Sequence, residues 1–247
     1  MKIWAHRGCS LRYPENTLTA FKEAAELHKK GLTGIELDVQ LSRDGEIVVI
    51  HDERIDRTTD GHGFVKDYTL QELKTFHIHT GKAEAEHIPT LKEVLELLKD
   101  TMQKGLRLNI ELKNSVIPYP GMEEKVVAMI HSYGLDENVV YSSFYAKSLA
   151  IIHALDDKAE CGILDSRLSD CFYKAKGMGF ISALHPFLKE IDFTQDESVK
   201  IGWIGPVRAW LTGYLYPEPP SGARLDLPVL ENKGITDVFL NEPEAYL

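Results

Sequence analysis

The chain has 247 residues, 43% hydrophobic and 27% charged, the balance of a globular protein with a substantial core and close to the roughly 250 residues of a (β/α)8 barrel. A net charge of −10 excludes a nucleic-acid surface or a general attraction to anionic lipid, so an anionic substrate would need cations placed locally. Cys9, Cys161 and Cys171 form neither a metal-binding spacing nor a disulfide framework, and no apolar run approaches the roughly 20 residues of a membrane span.

Ile3–Ala5 is a short apolar run, predicted as a strand, and no apolar leader precedes it. Together with the odd cysteine count, this makes the cytoplasm the expected location. Asn16 or Thr17 is placed to cap a helix through Leu18, Phe21, Ala24, Ala25 and Leu27, with Gly31 as its stop. Gly34–Val39 and Ile47–Ile50 are strand-like and joined by a turn at Arg43-Asp44-Gly45. Residues 53–88 are polar and too long for an ordinary connection, which predicts an insertion over one mouth of the fold, after the second strand region.

Thr90 then caps a helix with Leu91, Val94, Leu95, Leu97 and Leu98 on its apolar side. Leu106–Leu112 reads as a strand, Met122–Tyr133 as a helix, Val139–Ser142 as a strand and Ala146–Leu155 as a helix. Cys161–Leu164, Phe180–Leu184, Val207–Leu211 and Val238–Leu240 read as further strands. This β-then-α beat predicts a parallel sheet with outer helices, and the lack of a G-x-G-x-x-G turn after the first strand favours closure into a single (β/α)8 TIM barrel over residues 1–247. Pro217, Pro219, Pro220 and Pro228 break the beat and predict an irregular loop over 215–228.

Chemistry collects at the strand ends. His6-Arg7-Gly8, Glu36-Leu37-Asp38, His51-Asp52 and Glu111-Leu112-Lys113 each end an apolar run, where a barrel enzyme places its working groups. Glu36 and Asp38 are two apart on a strand and share a face, as do Glu111 and Lys113. Facing carboxylates repel unless a cation lies between them, and all-oxygen ligation favours Mg2+ or Ca2+. His6 and His51 titrate near neutral pH and suit proton transfer, whereas Arg7 and Lys113 suit a phosphate. The pattern points to a metal-assisted phosphodiesterase. His77, His79 and His87 lie in the polar stretch and read as solvated, and nothing activates Cys9 as a nucleophile.

These fragments, with Pro14-Glu15-Asn16-Thr17, Arg57-Thr58-Thr59, Ile88-Pro89-Thr90-Leu91, Ser142-Ser143-Phe144 and Trp210, resemble the glycerophosphodiester phosphodiesterase family along nearly the whole chain. The resemblance implies a (β/α)8 barrel with a small insertion, one divalent cation, and release of glycerol 3-phosphate from an alcohol. It makes His6 and His51 the acid/base pair, and Glu36, Asp38 and Glu111 the metal ligands. Arg7, Lys113, Glu15 and Trp210 fall to substrate binding, with Glu15 bracing Arg7 or the substrate loop. The implied mechanism is attack by the glycerol 2-hydroxyl on phosphorus, giving a cyclic phosphate that water opens.

Two places depart from the family pattern: Leu211-Thr212-Gly213 follows Trp210, and Asn241-Glu242-Pro243 stands where an Asp is common. The rival readings are a lyase that stops at the cyclic phosphate, a lysophospholipase D on the same fold, and a barrel that binds a phosphodiester without turning it over. The expected partner is a small-molecule glycerophosphodiester, with no nucleic acid and no membrane span. The sequence leaves the head group and the oligomeric state open.

Overall fold

The computed structural model describes residues 1–79, 86–191, 202–211 and 225–247. In chain order, β1 (Lys2–His6) leads to α1 (Leu18–Glu26), then β2 (Gly34–Leu41), β3 (Ile47–Val49), the one-turn α2 (Leu70–Leu73) and α3 (Leu91–Met102). The beat continues with β4 (Arg107–Leu112), α4 (Met122–Tyr133), β5 (Val139–Ser143), α5 (Ala146–Leu155), β6 (Glu160–Asp165) and α6 (Leu168–Met178). Last come β7 (Ala183–Pro186), β8 (Arg208–Trp210), α7 (Leu227–Asn232) and β9 (Asp237–Leu240).

The strand order β7-β6-β5-β4-β2-β1-β9-β8 is parallel throughout, and only β3 folds back antiparallel on β2. Parallel bridges Leu184–Val207 and Phe187–Trp210 draw the two ends of that order together, and Leu184 N donates to Pro206 O at 3.0 Å. The fold is the expected TIM barrel.

The period of two along each strand sorts the chemistry. On β2 and β4, Ile35, Leu37, Val39, Leu108, Ile110 and Leu112 belong to one large hydrophobic cluster with Leu91, Val94, Leu95, Leu98 and Met102 of α3. Each such side chain contributes about 1.5–3 kcal/mol on burial. The intervening Glu36, Asp38, Asn109 and Glu111 are thereby committed to the barrel interior. Thr90 caps α3 by accepting from Glu93 N, while the Glu93 side chain accepts from Thr90 N at 2.7 Å, so both ends of the capping box are made.

Several predicted boundaries move. Thr17, rather than Asn16, caps α1, and Gly31 closes the tight turn after it at φ 107°. The strand predicted at Phe180–Leu184 is shifted to Ala183–Pro186. Gly179 ends α6 in the left-handed region, and Phe180 leaves the strand path to stack on His153 at 4.2 Å between ring centroids. The irregular loop predicted over 215–228 lies outside the described residues as far as 224, and its end is corrected. Asp226 caps α7 by accepting from Val229 N at 3.1 Å, and Pro228 sits in the first turn, where its missing N–H costs nothing.

The stretch 53–88 has a core of its own among its described residues. Ile55, Val65, Leu73 and Ile88 pack with Val48 and Ile50, joined by Tyr68, Leu70 and Phe76. One end of the barrel, by contrast, is stoppered by ions. Glu160 accepts from Arg107 at 2.6 Å and from Arg208 at 2.5 Å, while Asp237 Oδ1 accepts from Trp4 Nε1 at 2.8 Å and from Arg208 Nε at 3.3 Å. Trp4 fits because its neighbour on β2 is Gly34, where a Cβ would stand 2.4 Å from the Trp4 ring and 2.7 Å from Arg107 O. Gly34→Ala is therefore expected to destabilise the barrel by roughly 1–3 kcal/mol, read as a lower denaturant midpoint in chemical unfolding.

Candidate active site

The opposite end of the barrel gathers the candidate residues His6, Arg7, Glu36, His51, Glu111, Lys113 and Trp210 around one cavity, with Asp38 and Glu15 bonded to Arg7. Register places His6 beside Glu36 and Asp38 beside Glu111. One oxygen each from Glu36, Asp38 and Glu111 lies within 4.8 Å of the others. Glu36 and Asp38 are buried, and Glu111 keeps only 12% of its side-chain surface exposed.

Arg7 follows β1 with φ 56°, a left-handed conformation that non-glycine residues adopt at a cost, and its amide donates to Glu36 at 2.9 Å. Gly8 must follow it, because φ is 82° there and a Cβ would meet the Ala20 backbone at 2.7 Å. The Arg7 guanidinium reaches Glu15 at 2.9 Å and Asp38 at 3.4 Å. Asn16, also at φ 56°, donates to Asp38 at 2.9 Å.

Burial pushes the Glu36 carboxyl up, reinforced by the charges of Asp38 and Glu111, and it lies well above the usual carboxylate range. Burial also opposes ionisation of Asp38, but His51, Arg7, Lys113 and the Asn16 hydrogen bond together hold it below that range. Burial, aided by Arg7, pushes His6 down to about 3, so its ring is neutral at pH 7. Its Nδ1–H donates to Asn241 Oδ1 at 2.7 Å, which leaves Nε2 as the free base, 3.9 Å from Glu36.

His51 hangs just beyond β3. Gln40 fixes this turn by donating from Nε2 to the carbonyls of Ile50, His51 and Asp52 at 3.1, 3.2 and 2.6 Å, and it accepts from Tyr119 at 2.9 Å. His51 Nδ1–H donates to Asp52 at 2.7 Å, and Lys113 donates to its Nε2 at 3.1 Å. Asp52 accepts from Arg57 at 2.6 Å, and Arg57 in turn grips Glu15 with two bonds at 2.8 and 2.7 Å. A continuous line of charges thus runs Arg7–Glu15–Arg57–Asp52–His51. Of the two places open to Glu15, it bonds Arg7, and it also anchors the stretch that follows His51. Burial would raise the Glu15 carboxyl, but the Arg57 hydrogen bonds and the Arg7 charge outweigh it and bring Glu15 to about 2.

His6, Arg7, Glu36, His51, Glu111 and Lys113 line a cavity of about 730 Å³. Trp210 forms part of its wall, stacked on Phe187 at 4.5 Å and meeting Phe144 edge-on at 5.9 Å. Sequence reasoning missed Gln40, which has no motif signal, and missed that Asn241 orients His6; only its departure from a common pattern marked it. His77 pairs with Asp60 at 2.8 Å and His87 bonds Phe76 O at 2.9 Å, both away from this site. Burial pushes the Cys9 thiol up to about 12, so it is no nucleophile.

His6 supplies a test through linkage. The unfolded chain protonates this imidazole near pH 6.5, whereas the folded one resists until about 3, so the unfolded state binds more protons between those values. Stability contributed by neutral His6 is complete above pH 6.5 and falls as the pH drops toward 3, by up to about 1.4 kcal/mol per unit. Denaturant melts of metal-free wild type and His6→Gln across this window are expected to show a shallower acid decline in the variant.

Comparison with known proteins agrees with the geometry. The pattern that defines the glycerophosphoryl diester phosphodiesterase family matches residues 6–167. A glycerophosphodiester phosphodiesterase of Caldanaerobacter subterraneus subsp. tengcongensis is 48% identical over 189 residues, 75% of each chain. One from Bacillus subtilis is 31% identical across 98% of this chain and 84% of its own. Among solved structures, an Oleispira antarctica phosphodiesterase in complex with the product sn-glycerol-3-phosphate superposes with a TM-score of 0.77 at 28% identity, covering 99% of this chain and 94% of that one. The chain belongs to the glycerophosphodiester phosphodiesterase family, whose members are phosphoric diester hydrolases.

Proposed function

We propose that the protein hydrolyses glycerophosphodiesters to sn-glycerol 3-phosphate and an alcohol, with one divalent cation held by Glu36, Asp38 and Glu111 and protons moved by His6 and His51. The observation that carries this reading is the meeting of three carboxylates between two imidazoles and two buried cations, Arg7 and Lys113, at one mouth of a barrel. The bound product of the Oleispira relative supports the substrate class. The free, buried cysteines support a reducing compartment, and hence the cytoplasm. Residues 1–247 are read as one barrel domain with 53–88 inserted, the insertion serving to hold Asp52 and Arg57 behind His51.

The donor set fits a hard cation. Asp38 Oδ1 is buried with no hydrogen-bond partner among the described residues, and Glu36 resists ionisation where no positive charge lies between the carboxylates. All-oxygen ligation favours Mg2+ or Ca2+. When bound, such a cation neutralises charge building on the phosphoryl oxygens.

The remaining work belongs to side chains. Arg7 and Lys113 face the phosphate, and Glu15 keeps Arg7 in place. His6, neutral with Nε2 free, takes the proton of the glycerol 2-hydroxyl as that oxygen attacks phosphorus. His51, held through Nδ1 by Asp52, acts in the form that carries a second proton on Nε2, with Lys113 turned from that nitrogen to the phosphate, and hands that proton to the departing alcohol oxygen. An internal nucleophile gains greatly from proximity, and the cyclic phosphate it forms is opened by water with the two histidines exchanging roles.

Phosphorus NMR of reactions on glycerophosphocholine and glycerophosphoethanolamine is expected to show sn-glycerol 3-phosphate accumulating with Mg2+ or Ca2+ and no turnover in excess chelator. Full activity in chelator would remove the metal role, and a cyclic phosphate that persists would make the protein a lyase. His6→Ala and His51→Ala are each expected to lower kcat on the order of 10²-fold or more. A loss below about threefold would take that residue out of the proton path.

A further inference from the structure

Beside the carboxylates, where Asn109 is in register with Glu36 and Ser142 with Glu111, the barrel interior holds polar groups that the proton path does not use. Asn109 on β4, Ser142 on β5 and His185 on β7 are all fully or almost fully buried, and all three line the same cavity as His6 and Arg7. Asn109 donates to Ser142 Oγ at 2.8 Å, but its own Oδ1 has no hydrogen-bond partner among the described residues. Neither ring nitrogen of His185 has one either.

His185 has been given its place by its neighbours. Its ring lies over Gly162, where a Cβ would stand 2.4 Å from it, and 5.5 Å from the Phe239 ring. Burial, with Arg208 nearby, keeps the ring neutral. A neutral imidazole is one donor and one acceptor, and an amide oxygen is an acceptor. Buried groups of this kind are met by a partner in the great majority of proteins, and an apolar side chain would otherwise serve the packing better. The partner they fit is small, and both donates and accepts: an alcohol hydroxyl.

We propose that Asn109, Ser142 and His185 form a hydroxyl-binding floor that takes the terminal hydroxyl of the substrate's glycerol unit, leaving the departing alcohol at the open mouth. This rests on the glycerophosphodiester reading above. The orientation follows from shape. The ion network of Arg107, Glu160, Arg208, Asp237 and Trp4 closes the barrel below, so this end suits the small invariant part of the substrate. The variable alcohol then lies outward, toward Glu53 and Arg167 on the cavity wall. An ester at the terminal hydroxyl has no proton to give and carries a chain the floor cannot hold, so acylated lysophospholipids are excluded as substrates.

The test compares kcat/KM for glycerophosphocholine, or glycerophosphoethanolamine if that is turned over faster, with its analogue bearing hydrogen in place of the terminal hydroxyl. Wild type is expected to prefer the hydroxylated compound on the order of 10²-fold or more, since a site built to bond a hydroxyl rejects an analogue lacking it. His185→Leu is expected to cut that preference at least about tenfold while leaving the deoxy compound within about threefold of wild type, and His185→Gln to restore part of it. Equal wild-type rates on the two compounds would overturn the floor subsite whatever the variants do, as would an unchanged preference in a folded His185→Leu. Turnover of neither compound would overturn the substrate reading itself, and this assignment with it.

Discussion

Carboxylates this close in a protein interior repel one another strongly, and the placement of Glu36, Asp38 and Glu111 is the constraint around which the mouth of the barrel is organised. Arg7 lies against Asp38, Lys113 against Glu111 and near Asp38, and the Arg7 amide against Glu36. The left-handed turn at Arg7 is a local cost that this arrangement requires, since it aims both the amide and the guanidinium of one residue at the acids. The compensation is incomplete, and the imbalance is itself informative. Glu36 resists ionisation and one oxygen of Asp38 stays unbonded among the described residues, an imbalance that the cation proposed above would relieve.

Much of this was legible in the sequence because two periodicities coincide. A strand in a barrel shows one face to helices and the other to the interior, so Glu36-Leu37-Asp38 and Glu111-Leu112-Lys113 announce both a strand and which side carries the chemistry. The helices were equally plain where an apolar stripe met a cap, as at Thr90. What stayed hidden depends on contacts between distant residues. Gln40 clasping three consecutive carbonyls, Asn241 setting the His6 tautomer, and Glu15 bonded to Arg57 across 42 positions have no local signature. The misplaced β7 has a different cause. Phe180 and Ile181 are apolar because they pack near the helical layer, and a short run cannot by itself say which layer it fills.

The line Arg7–Glu15–Arg57–Asp52–His51 joins the group proposed for phosphate to a group proposed for protons. Its members come from the turn after β1 and from the stretch after β3, so the residues beyond His51 fix the geometry of its ring as well as bounding the cavity. Removing any link would leave a buried or half-buried charge facing one neighbour instead of two, which is why such lines tend to fail as units rather than residue by residue.

The ionic stopper of Trp4, Arg107, Glu160, Arg208 and Asp237 has a kinetic side. With the base closed among the described residues, whatever enters first by the mouth departs last by it. In the proposed orientation, with the glycerol end innermost, the alcohol would vacate the passage before water followed it in. The phosphorylated fragment would then be the final tenant, holding the entrance against the next molecule until it goes.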